Sequence, residues 1–378
     1  MSSAGSFDAL CLGVRPRPDF AALDRAFDRD IDFDGLLRMA AEHSVRPQLV
    51  RALSTLGWHR FPAAARRELE HFMRVHGAFC LAAAEQVGHL TAQLGARGVK
   101  VAAFKGAALA VALQRDLTAR EYNDIDLIVA PADVDAAEDV LRSFGYHSAQ
   151  GDRRFRRTFL AHQRQYALVH DERATIDLHW AFTAAHVPFP LAPDEIWSTL
   201  EQVTIGSRRV ATIGGADLAL LLAGHGTKEG WRSLGWVCDF AFLVDLQRDL
   251  DWSSIYRRAR GRGCGDSVLL ACIMAERLMG VAVPEALGPL ARASRRVDAL
   301  AMALVAGLRE TSDDEERPNL ADLDLCDSRW RRVIAGVAIG MTPTVSDYRS
   351  MPLPPSLWPL YRVTRPVRLG LKAFGIVR

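Results

Sequence analysis

The chain has 378 residues, 49% hydrophobic and 24% charged, which excludes a disordered or fibrous sequence and allows a sizeable buried core. Forty-seven basic residues against forty-five acidic ones leave a formal charge of +2. That balance gives no long-range pull toward nucleic acid or a membrane, so an anionic ligand has to be held by local groups.

From Met1 to Gly13 the sequence lacks the basic start, apolar run and small-residue cleavage site of an export signal. Between Asp19 and about Ala96, apolar residues recur at helical spacing, as in Leu36, Leu37, Ala40, Val45, Leu49 and Leu53. The Ala- and Leu-rich run from Phe72 to Leu94 reads as a long helix stopped by Gly95 and Gly98. Next, Val99 to Phe104 forms a short strand that halts at Lys105-Gly106 and gives way to a helix from Ala107 to Leu113. Tyr122 to Val129 is a second strand, and Asp133 to Phe144 is a helix ended by Gly145. Phe159–Val169 and Ala174–Trp180 are two further strands, joined by a turn at His170 to Arg173.

After a proline-marked connection (Pro188, Pro190, Pro193), Ile205 to Ile213 looks like a small hairpin. Helical periodicity then runs from Ala216 to about Gly340, interrupted by an acidic loop beginning at Thr311. The most apolar stretch, Leu218 to Ala223, is far short of the roughly 20 residues that cross a bilayer, so no transmembrane segment is expected. From Pro352 the chain carries prolines, Trp358, Tyr361, Phe374 and only positive charges. Pro366 and Gly370 are expected to break any long helix there, leaving a tail packed on the body or a partner rather than on an acidic surface or membrane. The expected fold class is α+β with an α/β core. Residues 1–97 form a helical segment, 98–215 the mixed core, 216–350 a helical lobe and 351–378 a basic aromatic tail. The six cysteines (Cys11, Cys80, Cys238, Cys264, Cys272, Cys326) show no zinc spacing, and reduced thiols in a cytoplasmic protein are the simplest reading.

Successive side chains of a strand point to opposite faces, which places Ile125, Leu127 and Val129 in a core and Asp124, Asp126 and Ile128 on the other side. Two carboxylates so close need a proton or a cation, and a hard divalent ion with oxygen ligands is the usual remedy. An isolated DxD also fits an exposed acidic strand face. Asp177 repeats the arrangement in ATIDLHW, sharing a face with His179 while Ile176 and Leu178 point the other way. If the two strands are neighbours, three carboxylates converge, enough to hold Mg²⁺ or Mn²⁺ for phosphoryl or nucleotidyl transfer. Asp124 and Asp126 are then ligands. Asp177 completes the metal site and accepts or orients the hydroxyl proton, and His179 orients a carboxylate.

Lys105-Gly106 lies where a strand enters a helix, a place that makes either a phosphate cradle or a simple turn. Arg115 and Arg120, in the connection to the DID strand, are candidates for phosphate oxygens or for the surface. His225 and Lys228, three apart on one helical face, either reach the triphosphate or end a helix near Gly230. Trp231, Trp236 and Asp239 are expected to knit the lobe together, with Asp239 pairing with a cation.

These blocks resemble the uncharacterised bacterial nucleotidyltransferase family of the DNA polymerase β-like nucleotidyltransferase superfamily. The matching residues are FKGAALA at Phe104 to Ala110, Arg120 with NDIDLIV at Asn123 to Val129, FGY at Phe144 to Tyr146 and IDLHW at Ile176 to Trp180. Weaker matches begin at Ala40 and His225, and LYRVTRPVRLGLK in the tail also looks familiar. The resemblance implies a small mixed nucleotidyltransferase sheet flanked by helices, a metal pair on the DID strand, a third carboxylate at Asp177 and a helical lobe closing the cleft. Where the superfamily ends its first strand in Gly-Ser or Gly-Gly, this chain has Lys105, Gly106 and Ala107, and Lys105 is expected to replace the missing hydroxyl contact. The implied activity is Mg-dependent transfer of a nucleotidyl group from a nucleoside triphosphate to a hydroxyl of a small molecule, peptide or saccharide, with no nucleic acid partner. A nucleotide-binding module without turnover and a transferase using a nucleotide-activated sugar are the other classes.

Overall fold

Side-chain caps and prolines mark where the first helices begin. The computed structural model describes residues 3–28, 31–148, 153–160, 163–184, 187–309, 337 and 340–373. After α1 (Ser3–Gly13), α2 (Phe20–Phe27) begins where the Asp19 carboxylate accepts from the Ala22 N–H, and α3 (Phe33–Glu42) where Asp32 does the same for Gly35. Pro47 sits in the first turn of α4 (Arg46–Leu56). Helix α5 (Ala63–Ala96) starts after Pro62, well before the expected Phe72, because it serves two cores. Its early residues Ala65 and Leu69 join the helical core, whereas Cys80 through Leu94 pack on the sheet. Gly98, at φ +77, turns the chain out of the helix.

The sheet has five strands in the order β1-β2-β5-β4-β3, with β1 (Val101–Ala103), β2 (Asp124–Val129), β3 (His147–Ser148), β4 (Gln165–His170) and β5 (Arg173–His179). Only the β2–β5 pair is parallel; the other neighbours run antiparallel. Helix α6 (Gly106–Gln114) follows β1 and α7 (Val134–Ser143) follows β2. Two expectations shift. The strand expected from Phe159 begins only at Gln165, because α8 (Arg153–Phe155) and a π-helical turn (Arg156–Leu160) carry Phe159 into a separate aromatic cluster with Trp358 and Tyr361. The hairpin comprises β6 (Glu201–Ile205) and β7 (Arg208–Thr212), so its first strand lies ahead of Ile205.

Six helices follow: α9 (Gly215–Lys228), α10 (Leu234–Leu246), α11 (Trp252–Gly261), α12 (Gly265–Met279), α13 (Gly288–Ala293) and α14 (Arg295–Arg309). Together with α1–α4 they share one hydrophobic core, which also takes in Ala102, Phe104 and Ile128 from the sheet. The opposite sheet face, with Ile125, Leu127, Val129, Ile176 and Leu178, packs on α5, α6 and α7. Ile128 is therefore fully buried, and the face expected to be polar is roofed by helices.

The acidic loop from Thr311 and Cys326 lie outside the described residues; the other five cysteines are buried thiols. Near the C-terminus come α15 (Val345–Ser350) and α16 (Tyr361–Ala373). Contrary to expectation, α16 runs through Pro366 and Gly370. Asp347 anchors it, pairing with Arg365 and Arg368 at 2.6 Å each, while Trp358 and Tyr361 bury themselves against Phe159. No helix among the described residues is long and apolar enough to cross a membrane.

Candidate active site

The parallel register of β2 and β5 sets Asp126 opposite Asp177 and Ile128 opposite His179. Neighbouring strands lie about 4.8 Å apart, and one ligand atom each from Asp126, Asp177 and His179 falls within 4.8 Å of the other two. Asp126 is buried, and its Oδ1 accepts a hydrogen bond from Lys105 Nζ at 3.1 Å. The same oxygen lies 3.1 Å from His179 Nε2, whose ring is held edge-on against Phe104 at 5.0 Å. Asp124, two residues earlier on β2, sits half-buried outside this tight group, yet its charge is felt within it.

Electrostatics divides the three carboxylates. Burial, followed by repulsion from Asp126 and Asp177, pushes Asp124 up to about 6. Burial also raises Asp177, against the pull of His179. For Asp126 burial works in the same direction, but Lys105 and His179 outweigh it and hold the carboxyl well below the usual carboxylate range. Burial lowers the His179 imidazole, leaving it neutral and suited to orienting Asp126. Converging carboxylate oxygens with one imidazole, touched by a single ammonium from Lys105, are a donor set that could hold a divalent cation.

At the other end of the cluster, β1 hands the chain to α6. The Phe104 N–H donates to the Asp126 carbonyl at 3.4 Å, so Lys105 leaves the sheet directly beside the aspartate. Gly106 has φ +48, and a Cβ there would sit 3.4 Å from the Asp124 carbonyl and 3.5 Å from the Tyr122 ring. Glycine thus lets the N-terminus of α6 press against the start of β2, with its first N–H groups at the carboxylate end.

The remaining candidates divide. Arg120 is committed to Asp239 on α10: its Nε donates to both carboxylate oxygens, at 3.1 and 2.9 Å, and its Nη1 to the Glu121 carbonyl. Although burial opposes its charge, Asp239, Asp126 and Asp124 hold the guanidinium firmly protonated. The arginine therefore ties the approach to β2 to the helical lobe. Arg115 is not brought to the cluster. It is the exposed left-handed C-cap of α6 (φ 55), at the far end of a nine-residue helix from Gly106, a separation of roughly 13 Å at 1.5 Å per residue. His225 and Lys228, near the end of α9, lie within electrostatic reach of Asp126 and Asp177 respectively. His225 is lowered by burial and then by Lys105 and Lys228, and its ring stands edge-on to Trp236 at 5.7 Å. Lys228 lies 3.4 Å from Glu229, and its charge reaches Asp177.

Sequence reasoning missed the struts around this site. Glu121 accepts from the Arg46 backbone and guanidinium at 2.9, 3.0 and 2.6 Å, and His76 Nε2 lies 2.9 Å from the Arg120 carbonyl. No local pattern marks these pairs, which are 75 and 44 residues apart.

No curated protein matches the chain. Among solved structures, the solution structure of the antibiotic-resistance factor ANT(2'')-Ia is similar at 15% identity over 57% of this chain and 88% of that one, with a TM-score of 0.26. That superposition is too loose to bear on function. One family profile, described as uncharacterised nucleotidyltransferase, matches residues 29–280, a span that holds both aspartate strands, the Lys105-Gly106 junction and α9. With well over half of its length inside that match, the chain belongs to the uncharacterised nucleotidyltransferase family.

Proposed function

We propose that the protein transfers a nucleotidyl group from a nucleoside triphosphate, carried with Mg²⁺ or Mn²⁺, to a hydroxyl of a small molecule, peptide or saccharide. The observation that supports this reading is the register of β2 and β5, which sets Asp126 opposite Asp177, with Asp124 two residues earlier on β2 and its charge felt by both. In this reading Asp124, Asp126 and Asp177 hold the divalent ion. The bound metal neutralises the polyphosphate and eases deprotonation of the acceptor hydroxyl.

The chain's own groups supply the rest. Asp177, opposite Asp126 on the neighbouring strand, is suited to accept or orient the hydroxyl proton. His179 fixes the Asp126 carboxylate. The α6 N-terminus at Gly106 accommodates phosphate oxygens, and Lys105, His225 and Lys228 supply donors. Residues 98–215 carry the chemistry, the helices from α9 to α14 close the cleft, and the Arg120–Asp239 pair joins the two. The near-zero net charge favours a small or peptidic acceptor over nucleic acid.

Release of pyrophosphate from a panel of triphosphates and hydroxyl acceptors is the direct test. Activity that requires Mg²⁺ or Mn²⁺ and disappears in Asp177→Asn supports the reading. Tight nucleotide binding with no turnover on any acceptor points instead to a binding module.

A further inference from the structure

Of the 47 basic residues, only four are lysines, Lys100, Lys105, Lys228 and Lys372, and the charges of two of these, Lys105 and Lys228, act on Asp177. Lys105 is in direct contact. Its Nζ lies 3.1 Å from Asp126 Oδ1, with only 19% and 6% of the two side chains exposed. Among the described residues no other lysine or arginine reaches Asp124, Asp126 or Asp177 within 4.0 Å. The position is built in by the backbone, since the Phe104–Asp126 hydrogen bond aims the next residue at the carboxylate. In a chain otherwise supplied with arginine, a compact ammonium stands where a forked guanidinium would lock on bidentately.

Asp126 Oδ1 is shared already. It holds Lys105 Nζ and lies 3.1 Å from His179 Nε2. A divalent ion bound through that oxygen would meet the ammonium at contact distance, and like charges there repel strongly. We propose that Lys105 is a resident cation that the divalent ion has to displace from Asp126, and that the displaced ammonium moves to the triphosphate arriving with the ion. This inference rests on the reading of the cluster as a metal and nucleotide site.

Its consequence is a coupling. Metal alone binds against the loss of the Lys105–Asp126 ion pair, whereas metal with triphosphate gives the ammonium a new anion, so each ligand strengthens the other.

Two measurements on the full chain test the proposal. In the first, acetylation of Lys105 by an N-hydroxysuccinimide ester is followed by peptide mass spectrometry, with Lys100 as internal reference. Saturating Mn²⁺ alone should speed labelling of Lys105 several-fold, adding a non-hydrolysable triphosphate should suppress it again, and Asp126→Asn should label fast without metal. In the second, calorimetry with Mn²⁺ alone should show Lys105→Met binding about tenfold more tightly than the native chain at pH 8, while triphosphate enhances Mn²⁺ binding less in the variant than in the native chain. Labelling that Mn²⁺ leaves unchanged or slows overturns the proposal, as does equal Mn²⁺ affinity in native and Lys105→Met chains. If the native chain binds no Mn²⁺ at all, the metal-site reading falls with it, so the two failures are distinguishable.

Discussion

Protons and metal compete for Asp124, and lowering the pH should expose that competition. Its carboxyl is raised from 3.8 to about 6, roughly 3 kcal/mol of difference between its charged and neutral forms. At pH 7 about nine-tenths of such a group is ionised, and at pH 5 about one-tenth. Mn²⁺ affinity should therefore fall about tenfold between pH 7 and pH 5 from Asp124 alone, and further through Asp177, which burial also raises. An unperturbed aspartate would lose almost nothing over that interval. Asp126 adds no step, because Lys105 and His179 keep it ionised. The sign for stability is opposite. A carboxyl raised on folding favours the fold at low pH, and that contribution is lost as pH rises from about 4 through about 6. Added metal should restore stability there. Calorimetric Mn²⁺ titrations at pH 5, 6, 7 and 8, on native and Asp124→Asn chains, measure the step. A flat affinity between pH 5 and 7, or an undiminished step in Asp124→Asn, refutes the electrostatic account of the cluster.

Three further outcomes follow from particular contacts. Arg120→Met leaves the buried Asp239 carboxylate without its partner, and urea unfolding should show a loss of about 3–5 kcal/mol; Arg120→Met/Asp239→Leu should recover much of it, and a double variant as unstable as the single would contradict the pairing. His179→Phe keeps the packing on Phe104 but removes the nitrogen beside Asp126 Oδ1, so Mn²⁺ affinity should drop by about 10–100-fold with little change in melting temperature; unchanged affinity would remove His179 from the site. Asp347, held below the usual carboxylate range by Thr344, Arg365 and Arg368 against burial, should stabilise the α15–α16 region above about pH 4, with that contribution lost as pH falls through its lowered value. Limited proteolysis at neutral pH should therefore cut Asp347→Asn faster near residue 350, the two chains converging in acid, and equal cutting at neutral pH would count against this anchor.

The parts of the fold written in local pattern were legible. Alternation in DIDLIV and TIDLH placed the aspartates on strands, and the change to Ala-rich sequence after Lys105-Gly106 marked the start of α6. What local pattern cannot carry is decided by distant partners. Phe159 has strand-like neighbours, but Trp358 and Tyr361 draw it into an aromatic cluster within a π-turn. Pro366 forfeits a backbone donor, yet Arg365 and Arg368 hold its helix to Asp347 from both sides of the proline. For Arg120 the local pattern leaves phosphate oxygens and the surface both open; the structure pairs it with Asp239, 119 residues later. Ile128 shares a face with the aspartates but is covered, because helices from both ends of the chain close over that side of the sheet.

On the proposed reading, Asp124, Asp126 and Asp177 together form a site for a metal-bound triphosphate. Calorimetric binding of a non-hydrolysable triphosphate, with Mg²⁺ and with EDTA, to the native chain and to Asp126→Asn is the decisive comparison. Binding should depend on Mg²⁺ and weaken by about two orders of magnitude in the variant. Binding of equal strength without Mg²⁺, or in a folded Asp126→Asn chain, would contradict it.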